Sequence, residues 1–277
     1  MTSKLWMLLA VFSFCVMAVA IKEIGSEVDS FQIIFYRSLV GLLTVMLFFR
    51  KQLGRPSIGM IKDHLFRNVF HLLGQYGWII GIVFLPLAEV TAIEFSVPIL
   101  VLLIAGFFLK ERFTWMKFIS IALGFMGVLI ILRPGSGLIS QYSLLVLLSA
   151  VSYAIAHTST KQLTQRYSAI DMVLMMCLIQ LPLSFDLSIH HLAFPTMENT
   201  IYLLLIGIAA MAARFSMAKA MEQEDVSSII SLDYFRLPLL IAISVLVYQE
   251  NFDPFYLLGG TLIFIGNFNQ KRKKRLA

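Results

Sequence analysis

The sequence predicts an all-α membrane protein of ten transmembrane helices, built as two inverted five-helix repeats with both termini cytoplasmic. Three observations predict it: the spacing of apolar runs, the placement of Lys and Arg, and a self-similarity at one constant offset. The chain has 277 residues, 59% of them hydrophobic and 14% charged, with mean hydropathy +0.85. A soluble domain carries roughly 25% charged residues, so most of this surface must face something other than water. One span needs about 20 apolar residues, and a chain of this length with short connections holds about ten.

In chain order the apolar runs are 5–21, 31–49, 65–85, 87–109, 117–132, 143–160, 170–189, 201–220, 226–247 and 255–269. The third and fourth are separated by little more than Pro86. The fifth and tenth are short and need flanking residues to span. Lys4 precedes a first run that contains Ala18-Val19-Ala20, a pattern that signal peptidase reads. That run is longer than a usual signal core and has a partner in the repeat, so it is expected to be a span.

The net charge of +6 could suggest nucleic acid, but the basic residues sit in connectors and in a tail. With the N-terminus inside, seventeen Lys and Arg fall on the cytoplasmic side, from Lys4 and Arg67 to the tail Lys271–Arg275. The opposite side has Lys22 and Arg133, while Arg37, Arg214 and Arg236 lie within spans. This asymmetry places both termini in the cytoplasm of a bacterial-type inner (plasma) membrane. The tail is expected to anchor topology on anionic lipid rather than to bind substrate. Cys15 and Cys177 lie in separate apolar runs and show no metal-ligand spacing.

A shift of 139 residues aligns Lys22 with Lys161, Glu111 with Glu250, Phe113 with Phe252 and Gly127 with Gly266. It also brings Glu94 onto Asp233 and Phe95 onto Tyr234. The repeats are therefore 1–137 and 138–277, the second carrying the basic tail. Five spans per half invert the second half in the bilayer, a plan that places a substrate site near the midplane.

The stretch from Phe84-Leu85-Pro86-Leu87-Ala88-Glu89 through Thr91, Glu94, Phe95 and Pro98 resembles a signature of the EamA-type drug/metabolite transporters. Leu109-Lys110-Glu111-Arg112, Gly124, Gly127 and Arg133-Pro134-Gly135 extend the likeness. Phe35-Tyr36-Arg37-Ser38 looks like that family's second-helix arginine motif, and Ala220 to Glu250 like its second-half counterpart. Within the superfamily the chain is most similar to the branch with S-adenosylmethionine and riboflavin uptake carriers. One departure is Glu94, which stands where the family pattern has a small residue. The resemblance implies a central cavity lined by the third, fourth, eighth and ninth helices, with help from the first and sixth.

Ionisable groups inside a bilayer cost about 2.5–3.5 kcal/mol each on insertion scales, so they point to a pathway. Glu94 and Asp233 each fall about 10–12 Å from the start of their spans at 1.5 Å per residue. Arg236, three residues from Asp233, is expected to keep it charged and able to engage substrate, a purely structural pair being the alternative. Glu94, with no in-span base near it in sequence, is expected to exchange protons. Asn68, His71 and Gln75, with Tyr76 beside them, form a polar stripe on the third span. The offset places Arg214 on Gln75, and the sixth span offers Tyr153 and His157 one turn apart. The candidate substrate-binding set is thus Glu94, Asp233, Tyr234, Gln75, Tyr76, His71, Arg214, Arg236, Tyr153 and His157. Arg37 is expected to play a structural part, bonding carbonyls or an acid of a neighbouring helix. Glu111 and Glu250 read as structural marks of the repeat, and Met172, Met175 and Met176 as core.

A cavity with both acids and arginines suits a zwitterionic or cationic metabolite, such as an amino-acid derivative or a nucleoside-like cofactor. The expected partners are that small molecule, the lipid bilayer and coupled protons. No nucleic acid, cofactor or metal is expected. Exporters of amino acids or drugs share this plan, and a non-transporting scaffold would share its composition. An intramembrane enzyme or a primary pump is disfavoured, because the chain has no H-E-x-x-H, G-x-S-x-G or phosphate-loop pattern.

Overall fold

The computed structural model describes residues 2–50, 57–108, 115–133, 140–163, 166–189, 194–223, 235–251 and 253–274. Among these residues all regular structure is helical: α1 (Ser3–Ile24), α2 (Ser30–Phe49), α3 (Ile58–Phe84), α4 (Leu87–Glu94), α5 (Val97–Phe108), α6 (Trp115–Leu132), α7 (Gln141–Leu163), α8 (Ala169–Ser188), α9 (Met197–Gln223), α10 (Arg236–Leu246) and α11 (Pro254–Lys274). Helix starts are set by local polar residues. Asp29 accepts hydrogen bonds from the Phe31 and Gln32 amides, and Ser57 from the Met60 amide. Ser168 and Asp171 form a reciprocal capping box at α8.

Two apolar runs differ from the expectation. The fourth was read as one span, but it is divided at Phe95 and Ser96 into α4 and α5. Pro98 explains the division, because it has no N–H to return to the Glu94 carbonyl and disfavours helix in the residue before it. The third run starts a full turn or more earlier than hydropathy suggests, so Arg67 lies well inside α3 rather than at its edge. For the ninth run, the described helix begins only at Arg236. Asp233 and Tyr234, like Glu111, lie outside the described residues.

α1, α2, α7, α8 and α9 are long and apolar enough to cross a bilayer. The bundle also carries its polarity on the inside. Phe12, Leu47, Phe48, Phe125 and Leu246 are exposed, whereas Arg37, Arg67, Asn68, His71, Gln75, Gln180 and Arg236 are buried. A surface of this kind is stable against lipid tails, and interior polar groups must find partners among themselves.

α1 packs against α9 and α3 against α7; α2 lies on α8 and α9, α6 on α11, and α4 on α10. The α6–α11 seam is backbone on backbone. A Cβ on Gly127 would lie 2.6 Å from the Gly259 carbonyl oxygen, and one on Gly266 would lie 2.8 Å from the Ser120 oxygen. A shift of 139 residues exchanges these two contacts, taking Gly127 to Gly266 and Ser120 to Gly259. Such small-residue crossings let helices approach where packing alone must hold them.

The bundle end at which α1 turns toward α2 is tied by polar contacts. Lys22 reaches the Leu85 carbonyl at 2.8 Å and Glu250 at 3.0 Å. Tyr248 donates to Glu23 at 2.6 Å, and Ser143 and Tyr256 donate to Glu89 at 2.7 and 3.0 Å. Arg133 pairs with Asp253. At the opposite end Tyr167 donates to Asp63 at 2.7 Å.

Candidate functional site

The buried polar groups gather in one network across the middle of the bundle. His71 and Gln75 sit one turn apart on α3, as the sequence stripe requires. Gln75 Nε2 lies 2.6 Å from His71 Nδ1 and 3.1 Å from Gln180 Oε1 on α8. Gln180 Nε2 lies 3.2 Å from the same His71 nitrogen. On the other side of the ring, Arg214 Nη2 of α9 lies 3.1 Å from His71 Nε2. A guanidinium can only donate, so Nε2 accepts and the ring proton belongs on Nδ1. That proton needs an oxygen opposite it. Gln75 Oε1 has no partner in its present orientation, and turning the amides of both Gln75 and Gln180 puts the Gln75 oxygen on Nδ1–H with the Gln180 amide donating to it.

Tyr153 of α7 packs edge-on against the His71 ring, with centroids 5.4 Å apart, and lies along the His157 ring at 6.1 Å. Gly74 makes this possible, since a Cβ there would fall 2.9 Å from the Tyr153 ring. Ser149 of the same helix donates to the Gly74 carbonyl at 2.5 Å. Arg214, Arg67, Arg37 and His157 are the basic groups that act on His71.

Glu94, at the last residue of α4, is held from two sides. Arg236 Nη1 stands 3.3 Å from its carboxylate, and Trp78 Nε1 of α3 donates to Oε2 at 3.1 Å. Arg236, three residues from Asp233 in sequence, thus reaches across to α4, while Asp233 lies outside the described residues. Glu94 therefore does not stand apart from a base, as its sequence neighbourhood suggested. Arg236 also lies 5.2 Å from the Phe14 ring and 5.5 Å from the Phe95 ring, both measured to the centroid. Aromatic faces of this kind stabilise a desolvated cation.

Of the sequence candidates, Gln75, His71, Arg214 and Tyr153 come together, with His157 stacked at the edge, and Glu94 and Arg236 form an adjoining pair. Tyr76 goes elsewhere: its ring stacks on Phe31 of α2 at 4.3 Å. One residue from Gln75 is a 100° rotation, which takes Tyr76 off the stripe. Asn68 turns back to its own helix, donating to the His64 carbonyl at 3.0 Å.

Four participants were not read as site residues from sequence. Trp78 and Gln180 are polar groups inside apolar runs, the one available signal. Arg67, counted as a connector charge, is buried and donates to Thr160 at 2.7 Å and to Asn68 at 3.2 Å. Arg37 is 7% exposed, and its Nε has no hydrogen-bond partner. The carbonyl or acid contacts expected of it are absent among the described residues.

A multi-helix membrane protein with a charged network walled by aromatic and apolar side chains is the class that this fold and site define. The EamA-like transporter family model matches residues 1–133 and 141–268, and the chain belongs to that family. It is similar to the S-adenosylmethionine uptake transporter of Rickettsia bellii, 25% identical over 93% of this chain and 89% of that protein. It is also similar to the pseudopaline exporter of Pseudomonas aeruginosa, 26% identical over 96% and 95%. The riboflavin transporter of Brucella anthropi is 27% identical over 94% of each chain. A solved crystal structure superposes with a TM-score of 0.69 at 16% identity, covering 99% of this chain and 98% of the other. That likeness concerns the fold.

Proposed function

We propose that this chain is a secondary transporter of a small zwitterionic metabolite, working by alternating access between two inverted five-helix halves, 1–137 and 138–277. The observation that carries the reading is the network of His71, Gln75, Gln180 and Arg214 beside the Glu94–Arg236 pair, enclosed in an otherwise apolar bundle. Charges in such a place are costly unless they are used. The inverted repeat is supported by the helix pairing, because moving five spans along exchanges α1 on α9 with α7 on α3. The seam contacts exchanged by the 139-residue shift support it too. Loop charge assigns the α1–α2 end to the exterior and both termini to the cytoplasm of a bacterial inner membrane.

S-adenosylmethionine is the first candidate substrate, since the relatives named for its uptake align over nearly the whole chain. It carries a carboxylate, an amine and a sulfonium, which suit a site holding Glu94 and several arginines. Asp233 and Tyr234 are proposed as further site residues on the ninth span, with Asp233 taking the cationic group. The likeness to a pseudopaline exporter favours a second reading, an exporter of an amino-acid-derived metabolite by the same site. Counterflow in proteoliposomes tests both, because exchange of labelled for unlabelled substrate does not depend on physiological direction. Exchange of S-adenosylmethionine, lost in Asp233→Asn, is the expected result. A protein that exchanges riboflavin but not S-adenosylmethionine would show the substrate class to be wrong.

A further inference from the structure

We propose that Arg37 and the small cavity it faces between α2, α8 and α9 form the subsite for the carboxylate of the transported molecule, an assignment that rests on the transport reading above. Arg37 lines this cavity with Ser38, Gly41, Cys177 and Met211, and the open space, about 10 Å³, suits one oxygen-sized group. Gly41 keeps it open, since a Cβ there would lie 3.0 Å from Cys177 Sγ and 3.4 Å from Met211 Sδ.

The position of Arg37 is chemically unusual. The residue is buried in an apolar helix, with 7% of its surface exposed, and Nε has no partner. No carboxylate pairs with it among the described residues. The charged and titratable groups that act on it are Arg214, Tyr153 and Cys177, none of them a carboxylate. Glu94, the closest acid of the network, is already held by Arg236 and Trp78. A buried cation without a counter-charge is expensive, and a single carboxylate oxygen reaching it makes a charge-assisted hydrogen bond. The cavity also adjoins the central network. Gln180 is one turn beyond Met176 and Cys177 on α8, and Arg214 one turn beyond Ala210 and Met211 on α9. An amino-acid end could therefore place its carboxylate on Arg37 while the rest of the molecule lies against His71 and Tyr153.

The test uses full-length protein in detergent, with Arg37→Met and Arg37→Lys beside the parent. A fold-holding arginine would lower the melting temperature by several degrees when replaced by Met. A waiting ligand group leaves it equal or higher, which is the expected result. Ligand-induced thermal shifts then compare S-adenosylmethionine and methionine with their decarboxylated amines. The parent is expected to prefer each carboxylate by about tenfold or more, as charge-assisted bonds imply, with the preference lost in Arg37→Met and partly kept in Arg37→Lys. The assignment is overturned by a preference that survives in Arg37→Met, or by amines binding the parent as well as carboxylates. It is also overturned by a shift from chloride alone that Arg37→Met abolishes, which would make the site one for an inorganic anion. A parent that responds to no small molecule overturns the transport reading instead, and the melting comparison still decides whether Arg37 holds the fold.

Discussion

Lys22 Nζ lies 3.0 Å from Glu250 Oε1, joining the last turn of α1 to the chain just beyond α10. Glu250 also accepts from the Leu87 amide at 3.2 Å and from the Ser244 hydroxyl, so one carboxylate gathers α1, α4 and α10. Gln249, with φ of 51°, takes the left-handed turn that brings Glu250 back toward Ser244. The offset that relates Glu250 to Glu111 and Lys22 to Lys161 puts the corresponding pair of sequence positions at the opposite end of the proposed repeat.

Breaking this tie should loosen one end of the bundle. A partly exposed pair is worth about 1 kcal/mol or less, and the amide and hydroxyl bonds to a carboxylate add about 1.5 kcal/mol or more. Glu250→Gln should therefore speed amide hydrogen exchange in residues 85–90 and 244–251, by roughly tenfold for a loss near 1.4 kcal/mol. Exchange in α8 should be unchanged. Under the inverted-repeat reading, Glu111→Gln should shift the conformational balance in the opposite sense, measured by thiol labelling from the two sides. Equal shifts in one direction would count against the repeat.

The Glu94–Arg236 pair is expected to be costly to break and cheap to replace. Glu94→Ala leaves a buried guanidinium without its acid and should lose about 3 kcal/mol or more, read as a fall in detergent melting temperature. Glu94→Leu with Arg236→Met removes both charges and should recover most of that loss while abolishing transport. If the double variant melts as low as the single one, the pair is not the source of the effect.

At the α6–α11 seam even one methyl group is too large. Gly127→Ala would press a Cβ toward the Gly259 carbonyl, a backbone atom that has no rotamer to give way. Overpacking of this kind costs about 1–3 kcal/mol. Gly59→Ala, where a Cβ would meet only Ser57 Oγ at 3.8 Å, should be tolerated. Monodispersity on size exclusion and melting temperature separate the two outcomes.

His71 should act through its geometry. His71→Gln removes the ring that meets both Arg214 and Gln75 and should weaken substrate binding by about tenfold, the worth of one charge-assisted bond near 1.5 kcal/mol. Tyr153→Phe keeps the edge-on ring packing and should retain most binding. Equilibrium binding to both variants decides whether the ring or the phenol matters.

The helices were legible because apolar runs and Lys/Arg placement are local signals. Pro98 was visible in the sequence too, yet hydropathy does not register a missing N–H, so the fourth run read as unbroken. Arg67, near the start of the third run, reads only as a charge, and nothing local shows that α3 extends well beyond it and buries its side chain. The stripe of His71 and Gln75 was readable from its spacing. Their partner Gln180 was not, since contact between α3 and α8 has no trace in either segment alone. Proximity along the chain offers Arg236 only Asp233, and it takes the packing of α4 on α10 to reveal that Arg236 also meets Glu94.

The joint at Phe95 and Ser96 makes the fourth span two rods. Both lie against α6, α7 and α11, and α4 also lies against α10, the helix that carries Arg236. Glu94 is the last residue of α4, so acid and base ride on two helices that pack together. A bend at the joint would therefore carry the two charges as a single passenger, each keeping the other's company.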